Sequence, residues 1–269
     1  MTQTPTRHTP RPTRAELLHQ LRALATDVPL FLTAPLYRRW HLRWGATPAE
    51  VASSLPGDDM MPRAQFRCTR AITIDAPPEA VWPWLVQAGC LRGGFYSNDL
   101  LDNLGHPSAR EVVAELQHLE VGQWVPMSPT TPSDTTALKV DGFEVNRWLL
   151  WRKPDSTWVW TLTEPGHGKT RLVTRIHARY DWRRPALALF GVVLMELGDF
   201  AMMRRMLRGI KERSEALVKA TWFNASTMDA ALATADSMSG RQSDMATADA
   251  ACLPDQAVPR RQACTQEAS

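Results

Sequence analysis

The sequence predicts an α+β fold in which an antiparallel sheet packs against a long C-terminal helix, with short helices on the N-terminal side. Five strand-like runs follow one another between residues 123 and 180. The links between them are short and rich in Pro, Asp, Gly and Ser, which favours antiparallel hairpins over parallel crossovers. Apolar residues at helical spacing then continue from Pro185 to Lys219, which predicts one long helix after the last strand.

The composition is that of a globular protein. Of the 269 residues, 44% are hydrophobic and 22% are charged, so we expect a packed core. The formal net charge of +3 is too small to predict a nucleic-acid partner. No run approaches the roughly 20 apolar residues that a transmembrane helix needs. The four cysteines have no CxxC spacing, which predicts a cytoplasmic protein without a disulfide framework; they are Cys68, Cys90, Cys252 and Cys264.

Four regions follow from changes in composition along the chain. Residues 1–14 are rich in Thr, Pro and Arg and predict a disordered N-terminal arm. Residues 15–65 predict a helical extension, with an amphipathic helix at Ala15–Ala25 and a capping-box spacing at Thr47–Glu50. Residues 66–220 form the predicted central domain. Residues 221–269 show no apolar period, which predicts a disordered low-complexity tail.

The central domain begins with a strand and a helix. A strand enters at Phe66 and continues through Arg70–Ile74, with Ile72 and Ile74 on one face. Asp75–Glu79 then ends the strand and starts a helix with an apolar face. Gly89 ends that helix, and a Gly-Gly turn leads to a second short helix near Asp99. A further helix is predicted over Ala109–Leu119.

Alternating side chains mark the strands of the sheet. In one run, Trp158, Trp160 and Leu162 oppose Thr157 and Val159, as in a strand with two different faces. The five predicted strands are Gln123–Met127, Leu138–Val145, Arg147–Arg152, Thr157–Thr163 and Thr170–Tyr180. In the long helix that follows, glycines are expected only where it passes close to the sheet or to a ligand; they are Gly191, Gly198 and Gly209.

The stretch Arg70–Asn103 resembles a known superfamily. Its order is a strand, Asp-Ala-Pro-Pro-Glu, Val-Trp-Pro-Trp-Leu-Val-Gln and then Arg-Gly-Gly-Phe-Tyr-Ser, which is similar to bacterial SRPBCC proteins. That superfamily includes START-type lipid carriers and polyketide cyclases. Trp44–Thr47, Leu55–Asp58 and Met206–Lys211 extend the resemblance to residues 40–220. It implies a START-like helix-grip fold, in which a curved antiparallel sheet wraps the last helix and leaves a cavity between them.

Two carboxylates on the long helix are candidate ligand-binding residues. Glu196 and Asp199 lie one helical turn apart, with Met203 on the same side. Neither acid has a basic residue three or four positions away, so the usual surface pairing is absent. If this side faces the cavity, one of them could bind a polar ligand group or act as an acid with a raised pKa. The alternative is that both are exposed on the outer side of the helix.

The Gly-Gly turn of the SRPBCC-like stretch leads to a second group of candidates. Tyr96 and Asp99 could exchange protons with a substrate in an enolisation or aldol cyclisation. Alternatively, Asp99 caps the second helix and Tyr96 belongs to the core. Trp84 and Trp160 are candidates for lining a pocket for a flat or aliphatic ligand, although several of the tryptophans must be core.

Other sequence patterns are weaker indications of function. Arginines and aromatic residues interleave in Tyr37–Trp44; this segment could pack on the domain, rest on an anionic membrane surface or touch RNA. Gly166–Thr170 ends like a phosphate loop, but Thr163 replaces its first glycine and a strand follows, so a hairpin turn is expected. No metal-ligand spacing and no catalytic motif occur in the sequence, and we expect neither a metal nor a cofactor.

Three functions are therefore considered. The first is binding, or transport, of a hydrophobic small molecule or lipid in the internal cavity that the resemblance implies. The second is an enzyme of the polyketide cyclase or dehydratase type that uses acid–base groups in the same cavity. The third is a non-catalytic interaction module with weak peripheral membrane contact through Tyr37–Trp44. The absence of a catalytic signature favours binding over catalysis, and the sequence leaves the oligomeric state open.

Overall fold

The structure is a computed structural model and describes residues 12–250. The chain divides into two compact units, Met1–Lys219 and Ala220–Ser269. The first unit contains the whole sheet. In the second, the described residues continue the last helix, which ends at Ala250. The predicted disorder of residues 1–14 and 221–269 stays a prediction, and 1–11 and 251–269 lie outside the described residues.

A six-stranded antiparallel sheet forms the centre of the first unit, as predicted. Its order is β1-β6-β5-β4-β3-β2, so the first and last strands in sequence are hydrogen-bonded neighbours. A bulge between Val140 and Gly142 interrupts the pairing of β3 with β4. The strands are β1 Phe66–Ile74, β2 Trp124–Pro126, β3 Ala137–Glu144, β4 Trp148–Lys153, β5 Ser156–Gly166 and β6 Lys169–Ala178.

The helices precede the sheet, interrupt it after β1 and follow it. They are α1 Arg14–Thr33, α2 Arg38–His41, α3 Pro48–Ala52, α4 Pro78–Val86, α5 Asp99–Asp102, α6 Pro185–Val193 and α7 Asp199–Ala250. Within residues 12–250, no helix is long and apolar enough to cross a membrane. The curved sheet with its long C-terminal helix and short N-terminal helices confirms the predicted helix-grip fold.

Two predictions about helices are wrong in detail. The helix predicted over Ala109–Leu119 is reduced to a 3-10 turn at Ala114–Leu116. The helical bond from the Val113 amide to the Ala109 carbonyl does not form, because the amide donates to Gln87 and the carbonyl accepts from Arg213. The long helix predicted from Pro185 to Lys219 is interrupted by a π-helical turn at Leu194–Gly198. Such turns change the direction of the side chains that follow them.

The core lies between the inner face of the sheet and helices α4 and α7. The inner face carries alternate strand residues, and α7 supplies the residues that pack on them. The largest fully buried side chains include Phe66, Ile74, Trp84, Trp151, Trp160, Phe200, Leu207 and Ile210. Burying each such side chain contributes about 1.5–3 kcal/mol, so this layer supplies most of the stability.

The N-terminal segment covers the outer edge of β1. The backbone amide of Thr69 donates to the carbonyl of Leu42 at 2.9 Å, and that of Ala71 donates to the carbonyl of Trp44 at 3.1 Å. Arg175 of β6, on the outer face, donates to the carbonyls of Glu50 and Val51. The N-terminal extension therefore satisfies donors that an open sheet edge would leave to solvent.

Gly209 lies where the C-terminal helix passes close to the backbone of Tyr96. A Cβ atom at this position would lie 2.3 Å from the carbonyl oxygen of Tyr96, which is rigid backbone. Tyr96 itself has a positive φ of 56°, a conformation that costs energy in a non-glycine residue. The helix and the strained turn therefore approach each other more closely than any side chain at residue 209 allows.

We predict that Gly209→Ala lowers the free energy of unfolding by about 2 kcal/mol, because the added methyl group displaces backbone atoms. Gly191→Ala is the matched control, since its Cβ would lie 3.4 Å from the Tyr180 ring. Alanine is the better helix former, so the control raises the free energy of unfolding by up to about 1 kcal/mol. Urea denaturation of both variants checks this, and equal effects would contradict the close approach.

Candidate functional site

Arg70 is a charged side chain on the inner, apolar face of β1. It lies two residues from Cys68 and Ile72 and is fully buried. Its Nε donates to the carbonyl of His41 at 2.8 Å. Its Nη1 lies 2.6 Å from Oδ2 of Asp199, and the ring of Phe200 lies 5.5 Å from its guanidinium carbon. A buried charge is unfavourable unless it is paired, so Asp199 is the partner that permits Arg70 here.

Both predicted acids of the long helix have cationic partners from distant parts of the chain. Asp199, the first residue after the π-helical turn, is buried and pairs with Arg70. Glu196 lies within that turn and accepts two hydrogen bonds from Arg38, at 2.6 and 2.8 Å. Asp199 is therefore not an exposed acid on the outer side of the helix.

Several buried polar atoms at this point have no hydrogen-bond partner among residues 12–250. They are both ring nitrogens of His41 and Nη2 of Arg70, whereas Nη1 of Arg70 is engaged in the ion pair with Oδ2 of Asp199. A buried polar group without a partner costs about 1–3 kcal/mol. Arg70, Asp199 and His41, which we call the inner polar cluster, therefore have unused capacity to bind a polar group.

Burial sets the protonation of the neutral members of this region. It lowers the pKa of His41, and the positive charge of Arg70 lowers it further. The neutral imidazole therefore presents one donor and one acceptor. Burial raises the pKa of the neighbouring Cys68 thiol to about 12, so that thiol is not a nucleophile at neutral pH. Because Arg70 and Asp199 balance each other, the cluster has no net charge.

Three tryptophans, Trp151, Trp158 and Trp160, pack together on the inner face of the sheet. The ring centroids of Trp151 and Trp158 are 5.1 Å apart, and Trp160 lies 5.8 and 5.1 Å from them. Trp160 is opposite Thr174, which is in turn opposite Arg70 in the strand register. The structure therefore places the predicted ligand-binding residue Trp160 on the same face as Arg70, two strands away.

The other predicted residue of this face is Met203, which follows Asp199 by four residues on α7 and is buried. Side chains four residues apart lie on one side of a helix. Asp199, Met203 and Trp160 thus share the layer between helix and sheet.

Tyr96, Asp99 and Trp84 form a separate network. The Tyr96 hydroxyl donates to the carbonyl of Trp84 at 2.9 Å, and burial raises its pKa. Asp99 accepts hydrogen bonds from the hydroxyl and the amide of Ser108, at 2.5 and 3.1 Å. Tyr96 meets α7 at Gly209, ten residues or about 15 Å along the helix from Asp199. The structure does not bring this network together with the inner polar cluster.

Asp102 is a buried carboxyl group that the sequence analysis missed. It lies in α5, and burial followed by the charge of Asp99 raises its pKa to about 8. Its two oxygens have no hydrogen-bond partner of acceptable geometry in the described part of the chain. Asp102 is therefore protonated at neutral pH and is a titrating group at the C-terminal end of α5.

Two open cavities are described, and no residue of the inner polar cluster lines either of them. One, of about 620 Å³, lies along β1 and α7 beside Trp44 and Lys211. The other, of about 890 Å³, lies on the outer face of the sheet.

Neither Arg70 nor His41 was among the site residues predicted from the sequence, although the sequence contains a signal that Arg70 is buried. Alternate residues of β1 are Phe66, Cys68, Arg70, Ile72 and Ile74, so Arg70 is a charge in the middle of an apolar face. Combined with two acids that lack local partners, that position indicates a buried ion pair. No comparable sequence signal exists for His41. Among residues 12–250, no group of three His, Cys, Asp or Glu side chains is placed to hold a metal ion.

No family model and no curated protein matches this chain. Solved structures with a similar chain path include the polyketide-cyclase-like protein Cgl2372 from Corynebacterium glutamicum, at 19% identity and a TM-score of 0.34, over 60% of this chain and 97% of that one. The Zhui aromatase/cyclase from Streptomyces sp. R1128 has 14% identity and a TM-score of 0.34, over 58% and 97% of the two chains. These values are too low to transfer an activity.

We predict that Asp102 makes the protein less stable as the pH rises. Its folded pKa of about 8 lies above its ordinary value of 3.8, so between these values the folded protein holds a proton that the unfolded chain has lost. Relative to Asp102→Asn, the wild type should lose about 2–3 kcal/mol of unfolding free energy between pH 5 and pH 7. Urea denaturation at both pH values measures this. Asp59→Asn, at an exposed position, is the control, and the same difference in both variants would contradict the assignment.

We predict that Arg70→Met and Asp199→Leu each lower the free energy of unfolding by about 3–5 kcal/mol, because each leaves a buried charge unpaired. The double variant Arg70→Met/Asp199→Leu should recover most of that loss, since an apolar pair of similar volume fills the space. A double-mutant cycle by chemical denaturation measures the coupling. Losses that simply add in the double variant would show that the two residues do not interact.

Proposed function

We propose that the protein is an SRPBCC-type carrier that binds a hydrophobic small molecule or lipid between the sheet and the C-terminal helix. In this proposal the ligand's polar group contacts the inner polar cluster and its body lies against Trp151, Trp158 and Trp160. The observation that carries it is the fully buried Arg70, whose Nη2 has no hydrogen-bond partner in the described residues while Nη1 is paired with Asp199. The SRPBCC-like motif of residues 70–103 supports the same assignment.

The charge balance of the cluster indicates the class of ligand. Arg70 is already compensated by Asp199 at 2.6 Å, so a ligand carboxylate or phosphate would be repelled by the Asp199 oxygens. A carbonyl or hydroxyl group avoids this repulsion, because it can accept from Arg70 and exchange a hydrogen bond with the neutral His41. We therefore propose a neutral ligand with one carbonyl or hydroxyl group and an apolar, flat or aliphatic body.

Access to the interior is proposed through the segment Pro185–Gly198. Of its described side chains only Ala188 is buried, and Leu189 and Phe190 are 58% and 63% exposed. The segment ends in the π-helical turn Leu194–Gly198, and such turns are common where helices bend or bind ligands. A segment with few buried contacts opens at low cost in free energy.

A second candidate function is acid–base catalysis of the cyclase or dehydratase type in the same space. The specific observation in its favour is a buried carboxylate, Asp199, in one cluster with the neutral imidazole of His41. A neutral imidazole is able to accept a proton. In this candidate, Tyr96 and Asp99 position the Gly-Gly turn instead of touching the substrate, because both are engaged with backbone or Ser108.

We predict that the wild type binds the neutral naphthalene ketone Prodan about tenfold more tightly than 6-propyl-2-(dimethylamino)naphthalene, in which a methylene group replaces the carbonyl group. One buried hydrogen bond from the cluster to the carbonyl accounts for about 1.4 kcal/mol. Fluorescence titration measures both dissociation constants.

The matched variant is Arg70→Met/Asp199→Leu, which keeps the volume of the site. It should bind the two probes equally, within about twofold, while its affinity for 6-propyl-2-(dimethylamino)naphthalene stays that of the wild type. A wild type that binds neither probe, or a variant that keeps the tenfold preference, would overturn the proposed site.

A further inference from the structure

The larger of the two open cavities lies on the outer face of the sheet. It has a volume of about 890 Å³ and is bounded by the N-terminal segment 38–58 on one side and by β1 and β6 on the other. Its lining includes Arg67 and Thr69 of β1 and Arg175 and His177 of β6, which are neighbours in the strand register. These side chains point away from the inner polar cluster, so this outer cavity is a different site.

Positive charge dominates the outer cavity. Five arginines and one carboxylate, Asp58, line it. Two of the arginines are compensated, since Arg38 pairs with Glu196 and Arg175 pairs with Asp58. The other three have no carboxylate within ion-pair distance in the part of the chain that the structure describes; they are Arg39, Arg43 and Arg67. An excess of three guanidinium groups around one concave surface concentrates positive potential there.

The inner end of the outer cavity is rigid and carries an unused polar atom. Arg175, 5% exposed, donates to Thr69, to Asp58 and to the carbonyls of Ser53, Glu50 and Val51. Next to it His177 is 7% exposed, and its Nδ1 has no hydrogen-bond partner among the described residues. That Nδ1 is 3.8 Å from Asp58, beyond a hydrogen bond.

We propose that the outer cavity binds an anion that carries a phosphate group. Arg39, Arg43 and Arg67 supply planar donors of the kind that grip phosphate oxygens in pairs, and His177 at the inner end supplies a further ring nitrogen. The volume is in the range of small-molecule sites. This proposal is independent of the interior site, because the two lie on opposite faces of the sheet and share no residue.

Two sources could provide such a phosphate group. One is a soluble phosphorylated molecule. The other is the headgroup of an anionic lipid, for which Trp40, 57% exposed and next to Arg39, would add an apolar contact to the membrane surface. The second source would make Tyr37–Trp44 the membrane contact that the sequence analysis considered.

Isothermal titration of the full-length protein with inorganic pyrophosphate tests the site. We expect saturable binding at one site per chain, weakened at least tenfold in Arg39→Gln/Arg43→Gln. The matched control is Arg183→Gln/Arg184→Gln, which removes two exposed arginines outside the cavity and should bind as the wild type does. Circular dichroism verifies that both variants fold.

Flotation with vesicles of phosphatidylcholine alone, or with one quarter phosphatidylglycerol, distinguishes the sources. Pyrophosphate binding without flotation supports a soluble ligand. Flotation only with phosphatidylglycerol, lost in Arg39→Gln/Arg43→Gln and kept in the control, supports the lipid headgroup. The proposal is overturned if the wild type neither binds pyrophosphate nor floats, or if both double variants lose binding equally, since that would reflect net charge alone.

Discussion

The ion pair between Arg70 and Asp199 is the constraint on which the rest of the interior depends. It joins the first strand of the sheet to the start of the last helix, and Arg70 is also held through Nε by the carbonyl of His41 in the N-terminal extension. A charge inside an apolar layer is strongly unfavourable when its partner is removed. The ion pair therefore links these three segments, in addition to the apolar layer that packs α7 on the sheet.

Such a pair contributes specificity more than stability. Apolar residues of the same volume would pack as well, because desolvation of two charges offsets most of their attraction. Arg70 and His41 have donors without hydrogen-bond partners on the same side of the sheet as Trp160. A hydrogen bond to the proposed ligand would satisfy them. The π-helical turn Leu194–Gly198 fits the same explanation, since it directs Asp199 inward immediately after a segment with little buried surface.

The sheet was predictable from the sequence because its determinants are local. The alternation of Trp158, Trp160 and Leu162, and the short polar links between strands, define faces and hairpins without any knowledge of distant residues. The pairings of Asp199 with Arg70 and of Glu196 with Arg38 were not predictable in this way, since each joins residues more than a hundred positions apart. In the sequence, both acids stand out because they lack a local basic partner, but nothing there indicates which residues they contact.

The turn around Tyr96 shows a second limit on what could be predicted from the sequence. Its motif was visible, and proton exchange with a substrate was one interpretation of Tyr96 and Asp99. Their hydrogen bonds instead go to the carbonyl of Trp84 and to Ser108, a partner that lies nine residues beyond Asp99 in a loop without regular structure. Similarly, the π-helical turn has no sequence pattern of its own, because it depends on how α7 packs. The outer cavity was also unforeseen, since its arginines come from α2, the turn after it, β1 and β6.

The central claim is that the inner polar cluster retains a neutral hydrophobic molecule inside the fold. Native mass spectrometry of the wild type and of Arg70→Met/Asp199→Leu, both purified without detergent, tests it most directly. We expect one hydrophobic molecule with a carbonyl or hydroxyl group per wild-type chain, and its loss from the double variant. Identical spectra for the two proteins would contradict it.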